Sequence, residues 1–233
     1  MSRLTLIRHG QARSFKRENV LTPLGESQSA RLAAYWLHRR VQFDEVYSGT
    51  LARQIGTEQV VSDAFRKAGQ PWPEPRRDRS WNEYDAAGVL SRYVPADPSL
   101  AAQAAAYEAA RGGPEENRAF QRMLQAAMSK WQEGSVQTDG VEPWPAFRDR
   151  VSAAITGIML GPSGREVAVF TSGGPIGFAV HLAMKAPSQS FLEVNWRIRN
   201  CSVTEFLCDK VRLTLDSFNA IPHLDDVAMQ TYR

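Results

Sequence analysis

Apolar positions along this chain follow two patterns: short, nearly unbroken apolar runs, and longer stretches in which apolar side chains return every three or four residues. The run Leu4-Thr5-Leu6-Ile7 reads as a buried strand, Asp44–Ser48 as a second, and Glu166–Thr171 as a strand of the kind covered on both faces in parallel sheets. Helical spacing fills the gaps. Thr22 is a good N-cap and Pro23 suits the first helical position, so a helix is predicted from there to about Arg40, with Leu32, Ala33, Trp36 and Leu37 on one face. A second helix is predicted from Thr50 to about Lys67, followed by a Pro-rich linker, Gln70–Pro75, and a short extended segment, Arg76–Ser80. Pro143–Leu160 carries Phe147, Val151, Ala154, Ile155, Ile158 and Met159 at helical spacing, and Ile176–Met184 is apolar on most sides and ends before Pro187. Two further strands, about Ser202–Leu207 and Val211–Ser217, precede the tail. Strands alternating with helices predict an α/β fold, a three-layer α/β/α sandwich on a mostly parallel central sheet.

Residues 88–141 interrupt that alternation and read as a helical insertion within a single domain spanning 1–233. An alanine-rich helix (about Ser99–Arg111) is followed by one opening at Gly113-Pro114-Glu115-Glu116, where Phe120, Leu124, Ala127 and Trp131 form one stripe. Such a helical pair is expected over the active site as a cap; a plain scaffold role fits the same pattern.

The chain has 233 residues, 43% hydrophobic and 23% charged, with a net charge of +3. That balance is too mild for a nucleic-acid partner, which would need a basic stripe with interleaved aromatics. No apolar run is long enough to span a bilayer, and no secretory leader precedes the first strand, so a cytoplasmic protein with no membrane partner is expected. Cys201 and Cys208 fall in or beside one apolar run and read as reduced, packed thiols. No spacing resembles a metal site, and no cofactor is implied. Oligomeric state is open.

Candidate chemistry gathers at strand ends. Arg8-His9-Gly10 closes the first strand, where open α/β sheets place ligands. Arginine grips a phosphate with paired donors, glycine lets backbone come close, and imidazole can attack phosphorus. Arg53, in the first turn of the helix after the second strand, can reach the same crevice, and Arg13, Lys16 and Arg17 could steer an anion toward it. Two guanidinium groups beside one imidazole depress its pKa by repulsion and keep His9 neutral. Glu83 and Asp85, among Trp81, Asn82 and Tyr84, are rival carboxyls for protonating a leaving alkoxide. Ser172-Gly173-Gly174 opens a helix and could cradle phosphate. A competing reading takes Ser172, Asp216 and His223 as a serine-hydrolase triad, but Phe170 stands where a nucleophile elbow wants glycine.

Taken together, Arg8-His9-Gly10, Leu21-Thr22-Pro23-Leu24-Gly25-Glu26-Ser27-Gln28, Tyr47-Ser48-Gly49-Thr50-Leu51-Ala52-Arg53, Glu83, the Glu142–Val151 segment and Val169–Gly174 resemble the histidine phosphatase (phosphoglycerate mutase-like) superfamily. The resemblance spans most of the chain in the right order. It implies His9 as a nucleophile that becomes phosphohistidine, Arg8 and Arg53 as holders of the phosphoryl oxygens, and Glu83 as proton donor. The substrate it implies is a small phosphorylated molecule, with inorganic phosphate as the released ligand. Gln11 follows the tripeptide and is a possible further site residue. The phosphoglycerate-mutase branch carries an acidic residue and a Trp-Asn pair after its Arg-His-Gly; Gln11-Ala12-Arg13-Ser14-Phe15 argues against mutase activity here.

One departure stands out. Family members carry a second histidine at the end of the later strand, and this chain has Ser172 there. Losing one preorganised donor costs about 3 kcal/mol. Ser172 with the Gly173 and Gly174 amides could take over, His223 could supply the imidazole, or the protein could bind phosphoesters with little turnover. Restoring histidine at 172 is expected to raise the rate if the rest of the site is intact.

Overall fold

A computed structural model of the chain describes residues 1–13, 19–134, 139–187 and 190–232. Lys16 and Arg17 of the proposed basic cluster lie outside the described residues. The sheet has strands β1 (Ser2–Arg8), β2 (Glu45–Ser48), β3 (Arg76–Arg77), β4 (Glu166–Thr171), β5 (Val203–Cys208) and β6 (Leu213–Ala220), in the order β3-β2-β4-β1-β5-β6. The pairings from β3 to β1 are parallel; β5 and β6 add antiparallel at the other side. This is a mixed α/β sheet of the predicted class.

Period-2 alternation places the two covering layers. Ile7, Val46, Ala168 and Phe170 join one buried cluster with Leu32, Ala33 and Trp36 of helix α1 (Pro23–His38) and Val61 and Phe65 of helix α2 (Ala52–Lys67). The intervening residues Leu4, Leu6, Val167 and Val169 are equally buried on the opposite face. Helix α7 (Gly173–Met184), entered directly from β4, packs against β1 and β6. β1 and β4 are therefore neighbours whose following helices leave to opposite faces. Their carboxyl ends thus mark a topological switch point, the place where open α/β sheets bind ligands.

Packing divides the chain into two compact units: Met1–Glu83 with Val151–Arg233, and Tyr84–Arg150. The second extends beyond the expected 88–141 on both sides. It holds α3 (Ala86–Ala96), α4 (Ala101–Ala110), α5 (Glu116–Glu133) and the first half of α6 (Trp144–Met159). Helix α3 was not visible in the sequence because Gly88 and Pro95 weaken its pattern; Asp85 caps it by accepting from the Gly88 N–H at 2.8 Å. Within this unit Tyr84, Trp131, Trp144 and Phe147 form one aromatic cluster, with Trp144 and Phe147 stacked at 5.7 Å. Arg150 grips Glu142 through two bonds, at 2.6 and 2.9 Å, so the Glu142–Arg150 pair of the recognised segment is structural within this unit.

Other differences have local causes. The Gln70–Pro75 segment is anchored rather than a free linker. Trp72 packs on Phe65 at 4.7 Å and donates to Glu58 at 3.0 Å. Arg76–Ser80 continues as a two-residue strand and then a 3-10 turn, Arg79–Trp81, capped by Asp78. Helix α8 (Ser190–Asn195) lies where no helical stripe was recognised, being too short to show one. Cys201 and Cys208 are free and buried, and burial pushes the Cys201 thiol up to about 12.

Two motif glycines are explained by packing. A Cβ on Gly10 would sit 2.5 Å from the Gly25 carbonyl oxygen, and one on Gly25 would run into the Gln11 backbone. The glycine of Arg-His-Gly thus admits α1, rather than opening the backbone to a ligand. Gly157, exposed in α6, has nothing within 4 Å of its Cβ position. Gly25→Ala is expected to lower stability by about 1–3 kcal/mol through overpacking. Gly157→Ala is expected to raise it by about 0.5–1 kcal/mol, by removing a helix-interior glycine. Denaturant midpoints of the two variants, moving in opposite directions, check both expectations.

Candidate active site

His9 follows the last residue of β1. Its N–H donates to the Thr171 carbonyl at 2.9 Å, and its own carbonyl accepts from Cys201 N and Asn200 Nδ2, each at 3.2 Å. The backbone around the imidazole is therefore held from the end of β4 and from the turn that precedes β5. The next residue, Gly10, donates its N–H to Thr57 Oγ1 at 2.9 Å, and that hydroxyl donates to the Arg53 carbonyl at 2.8 Å. Thr57 ties β1 to the turn of α2 that carries Arg53. Sequence reasoning passed over it, although its spacing of four from Arg53 places both on one helix face.

His9 is buried, with 7% of the residue exposed. Nδ1 lies 2.7 Å from the Gly10 carbonyl oxygen, and Arg53 Nε lies 2.9 Å from Nε2. A carbonyl can only accept and a guanidinium N–H can only donate, so the partners assign the tautomer: the proton is on Nδ1 and the lone pair on Nε2. The His9 pKa is lowered well below its usual value, first by burial, then by the charges of Arg53 and Arg8, against an opposing pull from the Gly10 carbonyl. Repulsion from the guanidinium groups, expected as the cause, thus ranks second to desolvation. Burial also lowers the Arg53 pKa, opposed by the nearby Glu83 charge. Arg8 points its guanidinium to the Ile198 carbonyl, in the loop beyond α8.

Glu83 follows the Arg79–Trp81 turn and accepts from the Gly174 N–H, at 3.0 and 3.2 Å to its two oxygens. The start of α7 holds a carboxylate, as helix N-termini favour. The expected phosphate nest is thus partly filled by the chain itself. Asp85, the rival carboxyl, is engaged as the cap of α3.

Ser172 is completely buried, and its Oγ accepts from Gln54 Nε2 at 2.9 Å. Gly173 is buried with Asn195 Oδ1 against its Cα, where a Cβ would collide. Both sit at the sheet edge expected for them, but neither opens as an exposed cradle. Gln11 supports its loop: its N–H donates to Gln28 Oε1 at 2.8 Å, and its side-chain oxygen accepts from the Thr22 hydroxyl, also at 2.8 Å.

His223 is buried with its ring 6.1 Å from that of Tyr35 on α1. Neither ring nitrogen has a hydrogen-bond partner among the described residues, though the Cys201 backbone is near enough to favour the protonated ring slightly. No bond links it to His9, Arg8 or Arg53 among the described residues. The serine triad does not assemble. Asp216 pairs with Arg3 at 2.8 Å, near the start of β1 and roughly 20 Å along the strand from His9 at ~3.3 Å per residue. Among the described residues no group of three His, Cys, Asp or Glu could hold a metal ion, and no helix is long and apolar enough to cross a membrane.

The model of the histidine phosphatase superfamily, branch 1, matches residues 4–133 and 107–221. The chain belongs to this superfamily. A variant of Entamoeba histolytica phosphoserine phosphatase, in complex with phosphoserine, shares the fold with a TM-score of 0.64 at 16% identity, covering 96% of this chain and 100% of that one. Phosphoglycerate mutase from Bacillus anthracis gives 0.63 at 18%, covering 96% and 95%. Mycobacterial glucosyl-3-phosphoglycerate phosphatase gives 0.60 at 18%, covering 94% and 98%. At these identities the likeness speaks to fold. No curated protein sequence matches the chain.

Burial holds the His223 pKa at about 4, against 6.5 for the free side chain. The unfolded chain therefore takes up a proton before the native one does. The stability this provides is complete above pH 6.5 and is lost as pH falls from there toward 4. His9 acts in the same direction. Chemical denaturation at pH 7 and pH 4 is expected to show a loss smaller by about 2–3 kcal/mol in His223→Phe than in the parent chain.

Proposed function

We propose that this protein is a phosphomonoester hydrolase that transfers the phosphoryl group of a small phosphorylated substrate onto His9 and then to water. One observation carries the reading: a buried neutral imidazole whose Nδ1–H is tied to Gly10 and whose Nε2 faces a guanidinium. In the free protein Arg53 Nε–H occupies the Nε2 lone pair. An arriving phosphate offers Arg53 better acceptors, which frees that lone pair for attack on phosphorus. Glu83 takes up a proton from solvent when the phosphate dianion arrives beside it; the Nε2–P bond then forms as the P–O bond to the leaving group breaks, and Glu83 passes that proton to the departing oxygen. Water then attacks the phosphohistidine with Glu83 accepting the proton, and inorganic phosphate leaves.

Arg8 adds positive charge near the ring from β1, and Ser172 and Gly173 lie at the β4 end of the same crevice. A second reading, a phosphoester-binding protein with little turnover, is favoured by one specific finding. One of the expected phosphate donors, the Gly174 amide, is already engaged with Glu83, and the Ser172 hydroxyl is fully buried against the Gln54 amide.

Acid-sensitive chemistry separates the two readings. Rapid quenching with p-nitrophenyl phosphate is expected to trap a base-stable, acid-labile phosphoryl group on His9, absent in His9→Ala, whose turnover falls by at least about a thousandfold. Phosphate binding without adduct or release supports the binding protein. Glu83→Gln is expected to lower kcat by roughly 100-fold for an alkyl phosphate, and far less for the aryl ester, whose leaving group needs little protonation. Equal losses on both substrates would remove Glu83 from the role of proton donor.

A further inference from the structure

We infer that Gln54 is a positioning residue, whose amide fixes Glu83 relative to Arg53 and whose bulk is the reason position 172 holds no ring. The inference rests on the phosphatase reading for its catalytic half only. Gln54 is fully buried, and each polar atom of its side chain is bonded. Oε1 accepts from the Leu51 N–H at 3.2 Å; Nε2 donates to the Trp81 carbonyl and to Ser172 Oγ, both at 2.9 Å.

Those partners belong to the segments that carry the reacting groups. Leu51 opens the helix that presents Arg53, the neighbour of Gln54 in sequence. Trp81 precedes Glu83 by two residues. Ser172 precedes by two the Gly174 whose N–H holds Glu83. Thr171 reinforces the tie, its hydroxyl donating to the same Trp81 carbonyl at 2.6 Å. One amide thus joins the β2–α2 turn, the Glu83 segment and the β4–α7 junction.

Space gives the second half. Residues 171–180 are all buried, and Ser172 has no exposed surface, so a larger side chain there must displace a neighbour. The neighbour on Oγ is the Gln54 amide. The sequence-based expectation that Ser172→His alone raises the rate is thereby revised: an imidazole at 172 needs position 54 emptied. Gln54 in turn leaves no room for a Cβ at Gly49, which explains that glycine.

Four proteins test this: the parent, Gln54→Met, Ser172→His and the double variant Gln54→Ala with Ser172→His. Each is measured for Tm and for kcat and KM on p-nitrophenyl phosphate. Gln54→Met keeps the length but loses the amide, and is expected to lower kcat about 10- to 100-fold with KM within about threefold. Ser172→His alone is expected to lower Tm without a gain in kcat. The double variant also lacks the Gln54 amide; it is expected to recover Tm above that of Ser172→His and, through the added imidazole donor, to exceed Gln54→Met in kcat. Strictly additive Tm shifts, or a gain in kcat from Ser172→His alone, would overturn the fit between 54 and 172. A kcat within twofold of the parent in Gln54→Met would overturn the positioning role. A parent that forms no adduct and releases no phosphate, with Tm shifts still coupled, would sink the phosphatase reading and the catalytic half, and leave the packing half standing.

Discussion

The imidazole of His9 is held at both nitrogens, and the rest of the site depends on that clamp. Nδ1–H donates to the Gly10 carbonyl and Nε2 accepts from Arg53 Nε, so burial can hold the ring neutral without leaving a ring nitrogen orphaned. Neutrality requires a water-poor setting, and the fold creates it where two buried parallel strands end side by side. His9 N–H bonds Thr171, so the histidine is one residue past the last β1–β4 pairing, Arg8 with Thr171. The parallel core therefore positions the His9 imidazole as well as stabilising the domain.

The same crevice shows how charge is balanced before any substrate enters. Arg53 is buried enough to lose part of its hydration, and the Glu83 charge offsets that loss. Glu83 is held by the Gly174 N–H in the first turn of α7, so the positive end of the helix faces a carboxylate of the chain itself. An incoming phosphate dianion would compete for Arg53 with Nε2 and with Glu83. In the proposed mechanism, that competition would couple phosphate binding to release of the Nε2 lone pair.

Much of the frame was legible along the chain, because it rests on local rules. β1 and β4 announce themselves as apolar runs, and Thr22-Pro23 marks the start of α1, where Thr22 Oγ1 accepts from the Gly25 N–H. Arg8, His9 and Arg53 were found because strand ends and first helical turns point to the same edge of such a sheet. What escaped depends on contacts between distant residues. Gln54 and Ser172 are 118 positions apart, and nothing periodic links them. Gly10 was read as an opening for ligand, when its constraint comes from Gly25 of α1. The strength of desolvation at His9 was likewise hidden, since burial of a polar residue at a strand end depends on loops that carry no apolar pattern.

The protonation state of the His9 ring decides whether the clamp operates, and nitrogen NMR of His9 in the ligand-free protein reads it directly. A single Nδ1–H tautomer with Nε2 unprotonated at pH 7, persisting as the pH is lowered through 6.5, is the predicted result. Protonation of both nitrogens near 6.5, or a proton on Nε2 at pH 7, would contradict it.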